Sequence, residues 1–160
     1  MSIATIRAVE RDDVSALFAL ILELAQYEHL EDAVTGSPEA LRQHLFGDPC
    51  YVEALVAEID QQIVGYALFF TSYSTFLTQP GLYLEDLYVQ ERHRGQGVGK
   101  ALLKHVAKLV AERHYGRLDW SVLDWNESAI AFYETLGATV LPDWRICRIT
   151  GTALTTLASG

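Results

Sequence analysis

The segment from Leu82 to Val110 constrains this chain more than any other. Leu82-Tyr83-Leu84-Glu85-Asp86-Leu87-Tyr88-Val89 has the apolar and aromatic content of a strand. Arg94-Gly95-Gln96-Gly97-Val98-Gly99-Lys100 follows, and Val98, Leu102, Val106, Leu109 and Val110 then recur at helical spacing. A strand therefore feeds a helix through a glycine-rich turn. The first N–H groups of a helix have no intrahelical partner, and the helix dipole adds partial positive charge there. Glycines let the backbone approach an anion closely, so the turn reads as a pyrophosphate cradle, with Arg94 and Lys100 to add charge. Two familiar cradles do not fit. In the dinucleotide fingerprint the third glycine comes one residue later than Gly99, although Asp119 stands near the offset of its acidic partner. In the P-loop a Ser or Thr follows the lysine, where this chain has Ala101. Three glycines can also make no more than a tight connection; the strand before them and the helix after them favour the cradle.

The rest of the chain supplies partners for this unit. Ile3 to Ala8 alternates as a first strand. Asp12 and Asp13 place negative charge where a helix begins, and Val14, Leu17, Phe18, Ile21, Leu24 and Ala25 repeat at helical spacing. Ser37-Pro38-Glu39 reads as an N-cap, a first-turn proline and a dipole-matched acid, which predicts a short helix to about Phe46. Tyr51 to Glu58 and Ile63 to Phe70 read as a hairpin. Leu118 to Leu123 is a further strand. Asn126 caps a helix bearing Ala129, Phe132, Tyr133 and Leu136 on one face, with Gly137 as its C-cap. Trp144 to Ile149 is a last strand, and the tail adds a short helical turn. The predicted order is β-α-α-β-β-β-α-β-α-β: α/β class, a mixed, mostly antiparallel sheet with helices on both faces. No repeat or linker divides the chain, so residues 1–160 form one domain.

Composition narrows the function. The chain carries 12 Lys and Arg against 21 Asp and Glu, a net charge of −9. A nucleic-acid binder shows a basic surplus or stripe, and here the basic residues cluster only around Arg92-His93-Arg94, Lys100 and Lys104. The acidic surplus suits either a cationic small substrate or plain solubility. No run of about 18 apolar residues predicts a membrane span. The first seven residues lack a basic stretch followed by an apolar one, which argues against a signal peptide and for a cytoplasmic protein. The two cysteines, Cys50 and Cys147, have no Cys or His at metal spacing, so neither a disulfide framework nor a metal site is expected.

Arg-x-x-Gly-x-Gly opening a long helix just after a strand ending Leu-Tyr-Val resembles the coenzyme A motif of the GNAT acetyltransferase superfamily. The resemblance runs along most of the chain and implies the GNAT fold. It implies that Leu87, Tyr88 and Val89 contact pantetheine as an added strand would, and that Arg94, Gly95, Gln96, Gly97, Val98, Gly99 and Lys100 hold the pyrophosphate of acetyl-CoA. It also implies that Asn126 contacts the cofactor and that Tyr133 points its hydroxyl at the thioester sulfur. A tyrosine is mostly protonated at neutral pH and can donate to a departing thiolate. Taken without the resemblance, Phe132 and Tyr133 read as core aromatics.

Glu23-Leu24-Ala25-Gln26-Tyr27-Glu28, Tyr83 to Val89, Trp125-Asn126-Glu127 and Phe132-Tyr133 resemble the diamine branch of that superfamily, which includes spermidine/spermine and thialysine N-acetyltransferases. That resemblance implies a small cationic amine as acceptor, Tyr27, Glu28 and Glu85 as its contacts, and a homodimer. An aliphatic amine arrives charged and must lose a proton before it attacks a thioester; a carboxylate serves as base, and Glu85 matches that position. Glu85 and Asp86 are neighbours on a strand and point to opposite faces, so one of them faces the acetyl group. Glu28 is either a substrate contact or a solvated helix end. Leu141-Pro142-Asp143-Trp144 is shorter than in eukaryotic members, which leaves open another amine acceptor, such as an antibiotic, an amino acid or a protein. A non-catalytic acetyl-CoA sensor is the alternative of another class.

Overall fold

The computed structural model describes residues 3–160; Met1 and Ser2, the start of the stretch read above for a signal peptide, lie outside the described residues. The elements are β1 (Thr5–Ala8), α1 (Val14–Tyr27), α2 (Pro38–Phe46), β2 (Glu53–Ile59), β3 (Gln62–Ser74), β4 (Gln79–Val89), α3 (Val98–Glu112), β5 (Leu118–Trp120), α4 (Glu127–Thr135) and α5 (Gly151–Ser159). They fall into two compact units, one ending at Ser121 and the other spanning Val122–Gly160.

The first unit is built on a five-stranded sheet in the order β1-β2-β3-β4-β5. Its pairings are antiparallel except β4 with β5, which is parallel. Strand alternation assigns the helices. Tyr66 and Leu68 of β3 pack with Val14, Leu17 and Leu20 of α1 and Leu45 of α2. Ala67 and Phe69 alternate onto the other face, and α3 packs across β3 and β4 there with Val98, Leu102, Leu103 and Val106 buried. Each fully buried Val or Leu contributes about 1.5–3 kcal/mol, so the two faces hold the sheet as the middle of a sandwich.

Local signals explain most boundaries. Ser37 accepts from the Ala40 N–H at 3.2 Å, and Pro38 occupies the first turn of α2. Asp13 does more than complement a helix dipole. Arg7 on β1 reaches Asp13 at 2.7 and 3.0 Å and Glu58 on β2 at 2.9 Å, tying two strands to the start of α1. The guanidinium holds the Asp13 carboxyl below its ordinary range. The β2–β3 turn lacks Asn-Gly, yet Asp60 and Gln61 both take positive φ, 49° and 63°. Two left-handed residues between paired Ile59 and Gln62 make the tight turn that follows strand twist.

The strands differ from expectation in three places. β3 and β4 extend to Ser74 and back to Gln79, forming a longer hairpin than the apolar runs indicate. β5 stops at Trp120. Trp144 to Ile149 is not a strand: its apolar residues suit one, but no second backbone among the described residues pairs with the segment. Trp144 and Ile146 stay 81% and 71% exposed. The tail is α5, a nine-residue helix rather than a single turn.

Candidate active site

The site grows from a defect in β4. On β3, Leu68 stands opposite Asp86 and its neighbour Phe69 stands opposite Leu84, so Glu85 is an extra residue. Such a bulge breaks the two-residue alternation. Without it, Asp86 would share the α3 face with Leu84. With it, Asp86 turns to the face of Leu68, Tyr66 and α1. Plain alternation therefore does not govern Glu85 and Asp86, on which the expectation of opposite faces rested. Glu85 is exposed and Asp86 half-buried.

Asp86 accepts a hydrogen bond from the Tyr66 hydroxyl at 2.9 Å. Burial pushes its carboxyl up to about 6, the Tyr66 bond pulls it back, and the charges of Glu85 and Glu28 add to the rise. Burial also raises the carboxyl of Glu28. Glu28 is half-buried at the end of α1, where left-handed His29 (φ 58°) turns the chain, so it is not a solvated helix end. Neither Asp86 nor Tyr66 is distinguished by local sequence, because they lie 20 residues apart and meet only through the bulge.

Below the bulge β4 loses one neighbour. β5 pairs with β4 at Leu82, Tyr83 and Leu84 only, so from Glu85 to Val89 the strand is paired with β3 alone. Arg94 Nε donates to the Val89 carbonyl at 2.8 Å. Its guanidinium lies over the rings of Tyr27, 4.8 Å from the centroid, and Tyr88, 5.5 Å away. The Gln90 amide donates to Glu23 at 3.1 Å. These contacts bring Tyr27 on α1 together with Tyr88 and Arg94, around an open cavity of about 930 Å³ that Glu23, Gln90 and Arg92 also line. Arg94 thus touches two tyrosines and a carbonyl, an arrangement that sequence did not foretell.

The turn itself behaves as its glycines demand. Gly95 and Gly97 have φ of 74° and 83°, where a side chain is strained. A Cβ at either would meet nothing within 4 Å, so both positions open to space. Gly97 leads into α3, whose first turn carries Val98, Gly99 and exposed Lys100 and no acid. An anion finds N–H groups here without a competing carboxylate.

Asn126 and Tyr133 belong to the second unit. The Asn126 side chain caps α4, accepting from the Ala129 N–H and the Ser128 hydroxyl, each at 3.3 Å. Tyr133 follows seven residues later, two turns along, half-buried with its ring 5.4 Å from that of Phe132. Among the described residues no group of three or more His, Cys, Asp or Glu is placed to hold a metal ion, and no helix is long and apolar enough to cross a membrane.

A mixed sheet with a bulge in β4, a left-handed glycine turn after that strand and a helix start without acidic residues form an α/β scaffold whose turn is open to an anionic group. The chain belongs to the GNAT acetyltransferase family, whose model matches residues 16–138, and it is an enzyme that transfers acetyl groups. It is 40% identical over 169 aligned residues to a thialysine N-epsilon-acetyltransferase of Bos taurus, covering 99% of each chain. It is 31% identical to the spermidine/spermine N(1)-acetyltransferase-like protein 1 of Homo sapiens, over 83% of this chain and 20% of that protein. Among solved structures it is similar to an integron cassette protein from the mobile metagenome of V. cholerae, with a TM-score of 0.82 and 27% identity over 100% and 99% of the two chains.

Proposed function

We propose that this enzyme is an acetyl-CoA-dependent N-acetyltransferase acting on a primary amine of a small cationic acceptor, of the thialysine or polyamine type. The observation that carries this reading is the edge of β4 from Glu85 to Val89 that β5 leaves unpaired, followed after the short turn at Glu91–His93 by the left-handed Gly95 and Gly97. An extended arm laid along that edge arrives with its phosphates at the start of α3. The relatives' acceptors and the net charge of −9 support a cationic substrate. The reading treats residues 1–160 as one catalytic domain; a family match that begins in the first compact unit and extends into the second as far as residue 138 supports it.

The residues fit the cofactor. Leu87, Tyr88 and Val89 would pair with its pantetheine arm and Arg94 to Lys100 would hold its pyrophosphate; the resemblance adds Asn126 as a further contact. Bound acetyl-CoA supplies a thioester carbonyl that a neutral amine can attack. In a strand, the C=O and N–H of one residue lie on the same edge. Arg94 takes the Val89 carbonyl, so the Val89 N–H faces the same way and is available to polarise an acyl oxygen. Tyr27, Glu28 and Glu85 receive the ammonium. Glu85 takes its proton, through water, as the amine bonds to the acyl carbon. Tyr133 gives its proton to the sulfur as the C–S bond breaks and is reprotonated at the expense of the proton still on the acylated nitrogen; because the amine attacks the thioester directly, no covalent enzyme intermediate forms.

The test is thiol release from acetyl-CoA across spermidine, spermine, putrescine, thialysine, lysine, an aminoglycoside and a peptide. Turnover with thialysine or a polyamine is expected; turnover confined to the aminoglycoside or peptide overturns the acceptor class. We also propose a homodimer. The exposed apolar side chains of Leu141, Trp144, Ile146, Ile149, Leu154 and Leu157 support it, because a run of this kind favours association. A monomer mass by light scattering at working concentration overturns it.

A further inference from the structure

Tyr66 and Asp86 form a pair that the roles given to Tyr27, Glu28 and Glu85 leave unused. Tyr66 is fully buried among Leu17, Leu20, Val56 and Leu68. Phenylalanine could supply the ring in such surroundings; what tyrosine adds is a hydroxyl that needs a partner. Its partner is Asp86, on the diagonal: Tyr66 stands opposite Tyr88, and Asp86 is two residues back along β4. The diagonal exists because Glu85 is extra.

The surroundings of Asp86 make that hydroxyl matter. Glu28 from α1 and Glu85 from β4 both raise its carboxyl, on top of burial, and the Tyr66 bond opposes them. From β3 the group facing it is Tyr66. Along β4 the next residue on the same face is Tyr88, whose ring lies under the Arg94 guanidinium, with Glu23 of α1 nearby. Tyr66 itself stays a donor, because burial and the Asp86 charge hold its own proton on.

We propose that Tyr66 is a positioning residue for acetyl transfer: its hydroxyl fixes Asp86 on the α1 face of β4, beside Glu28, as a charged receptor for the acceptor's ammonium group. This rests on the amine acetyltransferase reading above and adds a residue to it. A carboxylate rotated away or protonated offers the ammonium nothing. Removing one hydroxyl does both, since the remaining influences on Asp86 favour the neutral acid.

The test compares Tyr66→Phe, Asp86→Asn and the double variant with the wild type, using the amine that the wild type turns over. For Tyr66→Phe, the acid limb of kcat/KM moves up by about one pH unit, the size expected from losing one hydrogen bond to a carboxylate. The amine KM at pH 7 rises about twofold, because a midpoint moved up by about one unit from about 6 halves the ionised fraction there, and it returns toward the wild-type value at pH 9. The acetyl-CoA Kd and kcat at saturating amine stay near wild type. In the Asp86→Asn background, Tyr66→Phe moves the acid limb no further. An unmoved acid limb and amine KM overturn the proposal, as does a parallel loss of acetyl-CoA affinity, which marks a merely structural role. Carboxyl NMR titration of Asp86 in wild type and Tyr66→Phe reads the same point without turnover, and an unchanged midpoint overturns it. If the wild type releases thiol with no amine while Asp86 still responds to Tyr66, the amine reading has failed rather than the Tyr66 link.

Discussion

The Tyr66 hydroxyl meets the Asp86 carboxylate at 2.9 Å across the β3–β4 pair, and the bulge at Glu85 makes the meeting possible. One extra residue carries a carboxylate from one helix layer to the other. Its new surroundings hold the carboxyl at about 6, because burial outweighs the tyrosine's help.

That position has a cost in stability. The native state keeps the Asp86 proton to a higher pH than the unfolded chain does, about 6 against the ordinary aspartate value of 3.8. Across that window the folded protein binds more protons, so stability falls as pH rises and stays lowered above it. Asp86→Asn removes the charge while leaving an acceptor for Tyr66. After allowance for solvent screening we expect it to stabilise the protein by about 1–2 kcal/mol at pH 7.5. Thermal melts at pH 7.5 and pH 4 check this: the variant should melt higher at pH 7.5 and alike at pH 4. A lower melting temperature at pH 7.5 contradicts the stated cause.

Glu85→Gln separates the two neighbouring acids. Glu85 is exposed, so its loss should leave the melting temperature nearly unchanged. Turnover at neutral pH should fall by about a hundredfold or more, the ordinary contribution of a general base. It should recover in part at high pH, where free amine is commoner. Full activity of the variant at neutral pH removes Glu85 from the mechanism.

Tyr133→Phe tests the acid. The hydroxyl is the only group removed, and the ring contact with Phe132 remains. Turnover should drop by about a hundredfold, the ordinary scale for a positioned proton donor, with acetyl-CoA affinity by calorimetry nearly unchanged. Unchanged turnover assigns the proton to another donor.

Gly97→Ala tests the cradle. The residue has φ of 83°, and an added methyl meets nothing within 4 Å, so the strain is conformational rather than steric crowding by neighbours. A loss of about 1–2 kcal/mol in stability is expected from holding alanine there. Acetyl-CoA affinity should fall as well, since a shifted turn misaims the first N–H groups of α3. Denaturant melts and a binding titration read the two effects separately. Tight acetyl-CoA binding by a destabilised variant dissociates the cradle from the cofactor.

Sequence alone determined what nearest neighbours in the chain dictate. Ser37 and Asn126 announce their caps, Gly95 and Gly97 their left-handed turn, and Val98, Leu102 and Val106 the buried stripe of α3. Each depends on residues a few positions apart, so its physics is complete before the chain folds. Tertiary structure decided the rest. Trp144 to Ile149 has the apolar content of a strand and is none, because a strand needs a second backbone that no local pattern supplies. Arg94 carries charge in the sequence, but only packing lays it over Tyr27 and Tyr88. Asp86 reads as one of two adjacent acids until β3 pairs with β4. The register then leaves Glu85 over, turns Asp86 toward α1, and gives it Tyr66. Register is a property of two strands taken together, so the face on which that carboxylate lies was written in neither strand alone.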